Sequence, residues 1–207
     1  MIFIDAEGKK DNIQGKGLLI IISGPSGAGK GTICQALLQK DSNLSLSVSA
    51  TTRAKGPDEV QGREYYFLSE QEFQDTIDRD GFLEWAEVHG KHYGTLKSHV
   101  QQLMESGKDC ILEIDVQGGL LIKEKVDHPC VLIFIKAPSE EELLRRITAR
   151  NREKPDEVKR RMITAQWEMV QEEKYEHSVI NEHVETAVEE ILDIIKEERK
   201  AHASTIH

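Results

Sequence analysis

The chain has 207 residues, of which 38% are hydrophobic, enough for one ample core with small insertions but not for two large domains. Its formal net charge of −10 argues against a nucleic-acid polymer as the main partner, because polyanion binding requires a basic face. No apolar run approaches the ~20 residues that span a bilayer, and the N-terminal segment is acidic where a signal peptide is basic, so we expect no membrane partner and a cytoplasmic location.

The first elements are a leader, a strand and a helix. Residues 1–16 read as a polar leader that we predict to be poorly ordered. The unbroken aliphatic run of residues 18–22 predicts a fully buried strand, and a helix that extends to about Lys40 follows it.

A glycine-rich run joins this strand to this helix, and its residues are Gly24, Pro25, Ser26, Gly27, Ala28, Gly29, Lys30, Gly31 and Thr32. Glycines let the backbone adopt positive φ and turn its N–H groups toward an anion, while the helix points its positive end at the same place. Lys30 adds a mobile charge that can reach the β- and γ-phosphates of a nucleotide. The run is a P-loop in which Gly31 replaces the usual Ser or Thr, and it predicts binding of a nucleoside triphosphate. The remaining alternative is a tight turn without a ligand.

The later elements alternate between strands and helices. Strands are predicted at 44–49, 65–67, 82–88, 109–115, 130–135 and 178–180, and helices at 70–79, 98–106, 117–126, 139–150, 156–173 and 186–200. This alternation predicts an α/β fold with a mostly parallel sheet and helices on both faces. Ligands of such sheets bind at the carboxyl ends of the strands, where the P-loop, Ser49, Glu113 and Asp115 are expected to face one cleft.

Three further segments, with the P-loop, carry a family resemblance. They are residues 47–53 (SVSATTR) with 59–67 (EVQGREYYF), residues 82–86 (FLEWA) with 93–95 (YGT), and residues 111–118 (ILEIDVQG). In this order and spacing they closely resemble the guanylate kinase family over about residues 17–200. The resemblance implies a P-loop NTPase-type core, a small mixed α/β GMP-binding insertion and a helical lid.

The implied division of the chain assigns the core to 17–49, 96–140 and 166–200, the GMP-binding insertion to 50–95, the lid to 141–165 and a tail to 201–207. The implied reaction moves the γ-phosphoryl group of MgATP to GMP, and to dGMP, with Mg²⁺ as the cofactor. The chain would act as a monomer or a homodimer.

The resemblance also implies roles for individual residues. Guanine presents adjacent N1–H and 2-amino donors that one carboxylate can accept, and a site that pairs them rejects adenine. The implied GMP ligands are Ser49, Glu84 and Thr95 for the base, Arg53, Tyr65 and Tyr93 for the phosphate, and Glu113 and Asp115 between the nucleotides. Glu113 and Asp115 would also hold Mg²⁺ through water, and Asp115 would contact the guanine edge. The implied catalytic residues are Lys30 of the P-loop and three lid arginines, Arg146, Arg150 and Arg161.

Two departures from the family pattern bear on these expectations. The family carries a second phosphate arginine three residues after Arg53, where this chain has Gly56; Lys55 could substitute only partially, as a point charge without a fork. The usual Arg-Gly-Thr run of the lid is replaced by residues 150–152 (RNR). The alternatives are a related kinase with another acceptor and a non-catalytic interaction module, which the intact lysine and glycines of the P-loop disfavour.

Overall fold

The structure is a computed structural model that describes residues 11–15, 17–88, 90–149 and 155–205. The strands are β1 Leu19–Ser23, β2 Leu44–Leu46, β3 Ala50–Thr51, β4 Tyr66–Phe67, β5 Phe82–Val88, β6 Lys91–Leu96, β7 Asp109–Glu113, β8 Cys130–Lys136 and β9 His177–Ile180. The helices are α1 Lys30–Lys40, α2 Glu70–Asp78, α3 Lys97–Glu105, α4 Val116–Lys125, α5 Glu140–Ala149, α6 Pro155–Val170 and α7 Val184–Thr205. A 3₁₀ turn, Gln171–Lys174, follows α6.

Five strands form a parallel sheet in the order β2-β7-β1-β8-β9. Every residue of β1 is buried, because aliphatic side chains on both faces of this central strand meet a helical layer. Ile20 and Ile22 pack with residues of α1 and α7, whereas Leu19 and Ile21 pack with residues of α3 and α4. Helices on both faces of a parallel sheet confirm the α/β fold expected from the sequence.

A smaller mixed sheet, in the order β4-β3-β6-β5, lies within residues 50–96. Strands β3 and β4 are parallel, and β6 is antiparallel to both β3 and β5. An aromatic cluster packs one face of it, with the rings of Phe73 and Phe82 stacked at 4.4 Å between centroids. The register of β5 on β6 shifts between Phe82 and Glu84, so that Phe82, Leu83 and Glu84 are all buried in succession.

The structure differs from the sequence expectations at several ends. Strand β2 stops at Leu46, three residues before the predicted end, and α7 continues through Thr205 into the predicted tail. Two residues of the predicted leader contact the rest of the protein: Ile13 is 5% exposed, and the Asp11 carboxylate lies 2.6 Å from Lys97 Nζ. Residues 1–10 and 16 of that leader lie outside the described residues. Across the described ranges, no helix combines the length and apolarity needed to cross a membrane.

Candidate active site

The glycine-rich run forms a turn between β1 and α1. Gly24 has φ of 142°, and a Cβ there would lie 2.0 Å from the Ile135 carbonyl oxygen. Gly29, the residue before α1, has φ of 93°, and its Cβ would lie 2.3 Å from Asn181 Nδ2. Both positions therefore require glycine for conformation and for space. The turn leaves the amino end of α1 pointing into the loop, as an anion site requires.

Lys30 lies inside this loop. Its Nζ donates to the carbonyl oxygens of Gly24, at 2.6 Å, and Pro25, at 3.2 Å. Burial lowers the pKa of the Lys30 ammonium, and the carboxylates of Glu168, Glu113 and Asp115 act in the opposite direction. The lysine is thus a desolvated cation beside three acidic side chains.

Two of the three arginines predicted for the lid contact either the glycine-rich loop or Asn181, which is itself bonded to the loop. Arg161 Nη2, on α6, donates to the hydroxyl of Ser26. Arg146 Nη2, on α5, donates to the Asn181 carbonyl at 3.0 Å, and its Nε donates to Glu142 at 2.7 Å. Arg146 lines a cavity of about 300 Å³ whose wall also includes Gly27, Gly29, Thr32, Arg145 and Asn181. Arg150 lies outside the described residues.

Asn181 is a site residue that the sequence reasoning missed. It is 3% exposed, follows the carboxyl end of β9, and its Nδ2 donates to the Ala28 carbonyl at 2.7 Å. In the part of the chain that the structure describes, its buried Oδ1 has no hydrogen-bond partner. The rule that ligands gather at the carboxyl ends of strands could have found this side chain, because it is polar and directly follows a strand.

Glu84 is buried at the register shift of β5, opposite Thr95 of β6. The Thr95 hydroxyl donates to Glu84 Oε1 at 2.6 Å. Burial raises the pKa of Glu84 to about 7, with the Thr95 hydrogen bond opposing that rise and Asp115 adding to it. A Cβ at Gly118 would lie 3.3 Å from Glu84 Oε2, which places this carboxylate against the start of α4. Asp115 caps that helix and accepts the Gly118 N–H at 2.8 Å.

The structure brings together the three side chains expected to bind the acceptor phosphate. The Arg53 guanidinium lies 5.3 Å from the Tyr65 ring centroid, and the Tyr65 and Tyr93 rings lie 5.9 Å apart. Arg53 donates two hydrogen bonds to Glu59, at 2.9 and 2.6 Å. Ser49 lies half-buried between β2 and β3, where its carbonyl accepts the Tyr66 N–H at 2.9 Å.

Glu59 is a second residue that the sequence reasoning missed, and it organises the loop that carries Gly56. The hydrogen bonds from Arg53, and then that from the Gly56 N–H at 2.6 Å, lower the pKa of Glu59 to about 2. Lys55 Nζ donates to the Glu59 carbonyl at 2.8 Å. Gly56 has no positive φ, so its backbone conformation is open to other residues. Glycine at this position instead leaves space for Glu59, since a Cβ would lie 2.9 Å from Glu59 Oε2.

Glu113 ends β7, which pairs with β1, and its carboxylate faces the start of α1. A Cβ at Gly31 would lie 3.3 Å from Glu113 Oε1, so glycine leaves room there for the carboxylate. Among the described residues, no group of three or more His, Cys, Asp or Glu side chains could hold a metal ion. Mg²⁺ commonly takes one or two carboxylates together with water and substrate phosphates, and Glu113 and Asp115 fit that donor set.

Comparisons with known proteins show the family of the chain and support its fold. The family model described as guanylate kinase matches residues 16–198. The chain is 50% identical over 188 residues to a guanylate kinase of Caldanaerobacter subterraneus subsp. tengcongensis, covering 91% of each chain. It is 44% identical over 184 residues to that of Thermotoga maritima, covering 89% of this chain and 88% of the relative. A crystal structure of guanylate kinase from Anaplasma phagocytophilum superposes with a TM-score of 0.71 at 30% identity, covering 90% of this chain and 88% of the other.

Proposed function

The chain belongs to the guanylate kinase family, and we propose that it transfers the γ-phosphoryl group of ATP to GMP or dGMP, giving ADP and the nucleoside diphosphate. The observation that carries the choice of acceptor is the buried Glu84 carboxylate, which Thr95 holds at the edge of the small sheet. The P-loop supplies the donor site at the carboxyl edge of the large sheet. We also propose that the protein is located in the cytoplasm.

Glu84 would read the acceptor base. Its carboxylate can accept both the N1–H and the 2-amino group of guanine, while the Ser49 hydroxyl donates to O6 and Thr95 and Asp115 complete the polar edge. Adenine offers neither donor in this arrangement, so it would leave a buried carboxylate without partners. The acceptor site would therefore select guanine, because any other base would leave a buried polar group without a hydrogen-bond partner.

Arg53, Tyr65 and Tyr93 would hold the phosphate of GMP. The two Arg53 bonds now made to Glu59 are of the kind that a phosphate accepts, so Arg53 would exchange one anion for another when GMP binds. The tyrosine hydroxyls add neutral donors. Held in this way, the acceptor phosphate would be presented to the P-loop.

At the donor site, the backbone N–H groups of the P-loop and the Lys30 ammonium would hold the β- and γ-phosphates. An oxygen of the GMP phosphate attacks the γ-phosphorus, and the bond to the ADP oxygen breaks, so no protein nucleophile is needed. Arg146 and Arg161 would neutralise charge on the transferring group, and the family resemblance adds Arg150. Mg²⁺, held by Glu113 and Asp115 through water, would supply further charge neutralisation when bound.

We further propose that the insertion of residues 50–95 and the lid of residues 141–165 close over the substrates. Both segments carry charged side chains that face the P-loop or the acceptor site. Closure would exclude water, which otherwise competes with GMP for the γ-phosphoryl group.

A coupled assay of ADP formation tests the proposal with GMP, dGMP, AMP and UMP as acceptors. We expect GMP and dGMP to be the efficient acceptors, and chelation of Mg²⁺ to abolish turnover. A preference for AMP or UMP would identify a related kinase with another acceptor. Binding of GMP without ADP formation at any ATP concentration would identify a non-catalytic module.

A further inference from the structure

A buried carboxylate beside the P-loop has no part in the mechanism above. Glu168, on α6, is only 7% exposed, and within the described ranges its Oε2 has no hydrogen-bond partner. Burial raises the pKa of Glu168 to about 7. Because an unpaired buried carboxylate oxygen is costly, its presence beside a phosphate site needs an explanation.

Glu168 faces the loop from the same side as a lid arginine. A hydrogen bond from the Ser26 backbone N–H favours the ionised form of Glu168. Arg161, seven residues earlier and so on the same face of α6, donates to the Ser26 hydroxyl. One face of α6 therefore contacts both the backbone and the side chain of Ser26.

Among the described residues, two charged groups act on the Glu168 carboxylate, and they lie on different elements. Lys30 of α1 attracts it, whereas Asp115 at the start of α4 repels it. Tyr175, after the 3₁₀ turn, feels the same negative charge, and its hydroxyl donates to the Val116 carbonyl at 3.3 Å. Lys30 is thus the cation that balances Glu168, and it is also the cation that a triphosphate needs.

We propose that Glu168 is a positioning residue for the P-loop. Its carboxylate accepts the hydrogen bond of the Ser26 backbone N–H, which orients that part of the loop, and it also serves as the counter-ion of Lys30. This inference rests on the proposed ATP site. The two roles act differently on the reaction. The acceptor role keeps the loop in the shape needed for phosphoryl transfer, whereas the negative charge competes with the triphosphate for Lys30 and weakens the binding of ATP.

Two substitutions of Glu168 distinguish the two roles. Glu168→Gln keeps an acceptor oxygen but removes the charge, so ATP should bind about 3- to 10-fold more tightly while kcat stays within about threefold of wild type. Glu168→Ala removes both, so kcat should fall about 10- to 100-fold while the KM for GMP is unchanged. Glu173→Gln, which alters an exposed acid in the adjoining 3₁₀ turn, is the control with the same change in net charge.

The measurements, made at pH 8 so that Glu168 is mostly ionised, are titrations with ATP by calorimetry, steady-state kinetics and melting curves of all four proteins. An ATP dissociation constant in Glu168→Gln equal to that of wild type would overturn the inference, as would an equal shift in Glu173→Gln. If the alanine variant does not fold, the glutamine titration decides alone. Wild-type protein that fails to phosphorylate GMP contradicts the proposed function itself, whereas active wild type with an indistinguishable glutamine variant contradicts only the role of Glu168.

Discussion

The two sheets build their sites by different means. At the large parallel sheet, the expected phosphate site is one contiguous run of chain whose glycines adopt positive φ, with Lys30 as its charged side chain. At the small mixed sheet, side chains from separate strands and loops meet, as when Thr95 of β6 contacts Glu84 of β5. The first site depends on local backbone conformation, and the second depends on strand register.

This difference has a consequence for mutation. A change in the P-loop should alter the chemical step without affecting acceptor choice, because we expect the turn to contact only the donor nucleotide. A change at the small sheet should alter which base is accepted and how tightly, with little effect on ATP. Three substitutions and one change of pH test this separation.

The largest effect is expected at Lys30. Lys30→Ala removes the charge that would balance the transferring phosphoryl group, so kcat should fall about 10²- to 10³-fold, as for the loss of one transition-state donor. The dissociation constant for GMP, measured by calorimetry, should stay within about twofold of wild type because the acceptor site is separate. Turnover within a few-fold of wild type would remove the P-loop lysine from the mechanism.

Glu84→Gln tests the small sheet at its buried carboxylate. The amide keeps the size but turns a donor toward a donor of guanine, so kcat/KM for GMP should fall by about 2–4 kcal/mol, roughly 30- to 900-fold. Kinetics with GMP at saturating ATP measure this loss. Glu87→Gln, an exposed position on the same strand, should leave kcat/KM unchanged. An equal loss in both variants, or none in either, contradicts the assignment of the guanine site.

The effect of pH on the KM for GMP should be smaller than the effect of Glu84→Gln on kcat/KM. It follows from the raised pKa of Glu84, which is about 7. Only the ionised carboxylate accepts both guanine donors, so the KM for GMP should rise about tenfold as pH falls from 8 to 6. The same raised pKa makes the contribution of Glu84 to folding stability greatest below pH 4.5, and that contribution is lost as pH rises through about 7.

The phosphate of GMP also titrates near pH 6, and this titration contributes to the pH profile of any variant assayed with GMP. The control for Glu84 must therefore be a variant measured with the same substrate over the same pH range. Glu84→Gln meets this requirement, and the difference between the two pH profiles isolates the carboxylate. Parallel profiles for wild type and variant would show that Glu84 does not titrate in this range.

The smallest effect is expected at Gly56, where the family has an arginine. Gly56→Arg adds a second fork for the acceptor phosphate, and GMP should bind more tightly by about 1 kcal/mol, roughly fivefold. The expected gain is small because Glu59 Oε2 would lie 2.9 Å from the new Cβ and would compete with the phosphate for the guanidinium. The KM for ATP should not change.

Gly56→Ala controls for crowding against Glu59 without adding charge. A GMP titration of both variants, with melting curves, separates the two effects. Unchanged or weaker GMP binding in an arginine variant that melts like wild type would show that the missing arginine is no deficit.

Sequence reasoning reached the features that depend on local pattern. The aliphatic run before Gly24 is a buried central strand, and Lys30 begins the helix that follows, because backbone preferences within a few residues fix such elements. Arg53, Tyr65 and Tyr93 lie together as the family resemblance implied, although their roles as ligands remain predictions.

Sequence reasoning missed the contacts that depend on distances between remote segments. Asn181 reaches Ala28 from 153 positions along the chain, and the Thr95 bond to Glu84 depends on a register shift at Leu83 that the alternating pattern does not show. The pairing of Arg53 with Glu59 is closer in sequence, but it depends on how one loop folds back. Such contacts follow from tertiary packing, which no local periodicity encodes.

The central position of β1 also affects how the molecule opens. Its residues from Leu19 to Ile22 have no exposed surface, and hydrogen-bonded strands flank it on both sides. Amide protons in such a strand exchange with solvent only when the whole domain unfolds, whereas those of two-residue strands such as β3 and β4 can exchange through local fluctuations. The P-loop is attached directly to this fully buried strand. We therefore expect local fluctuations of the small sheet to leave the attachment point of the P-loop fixed.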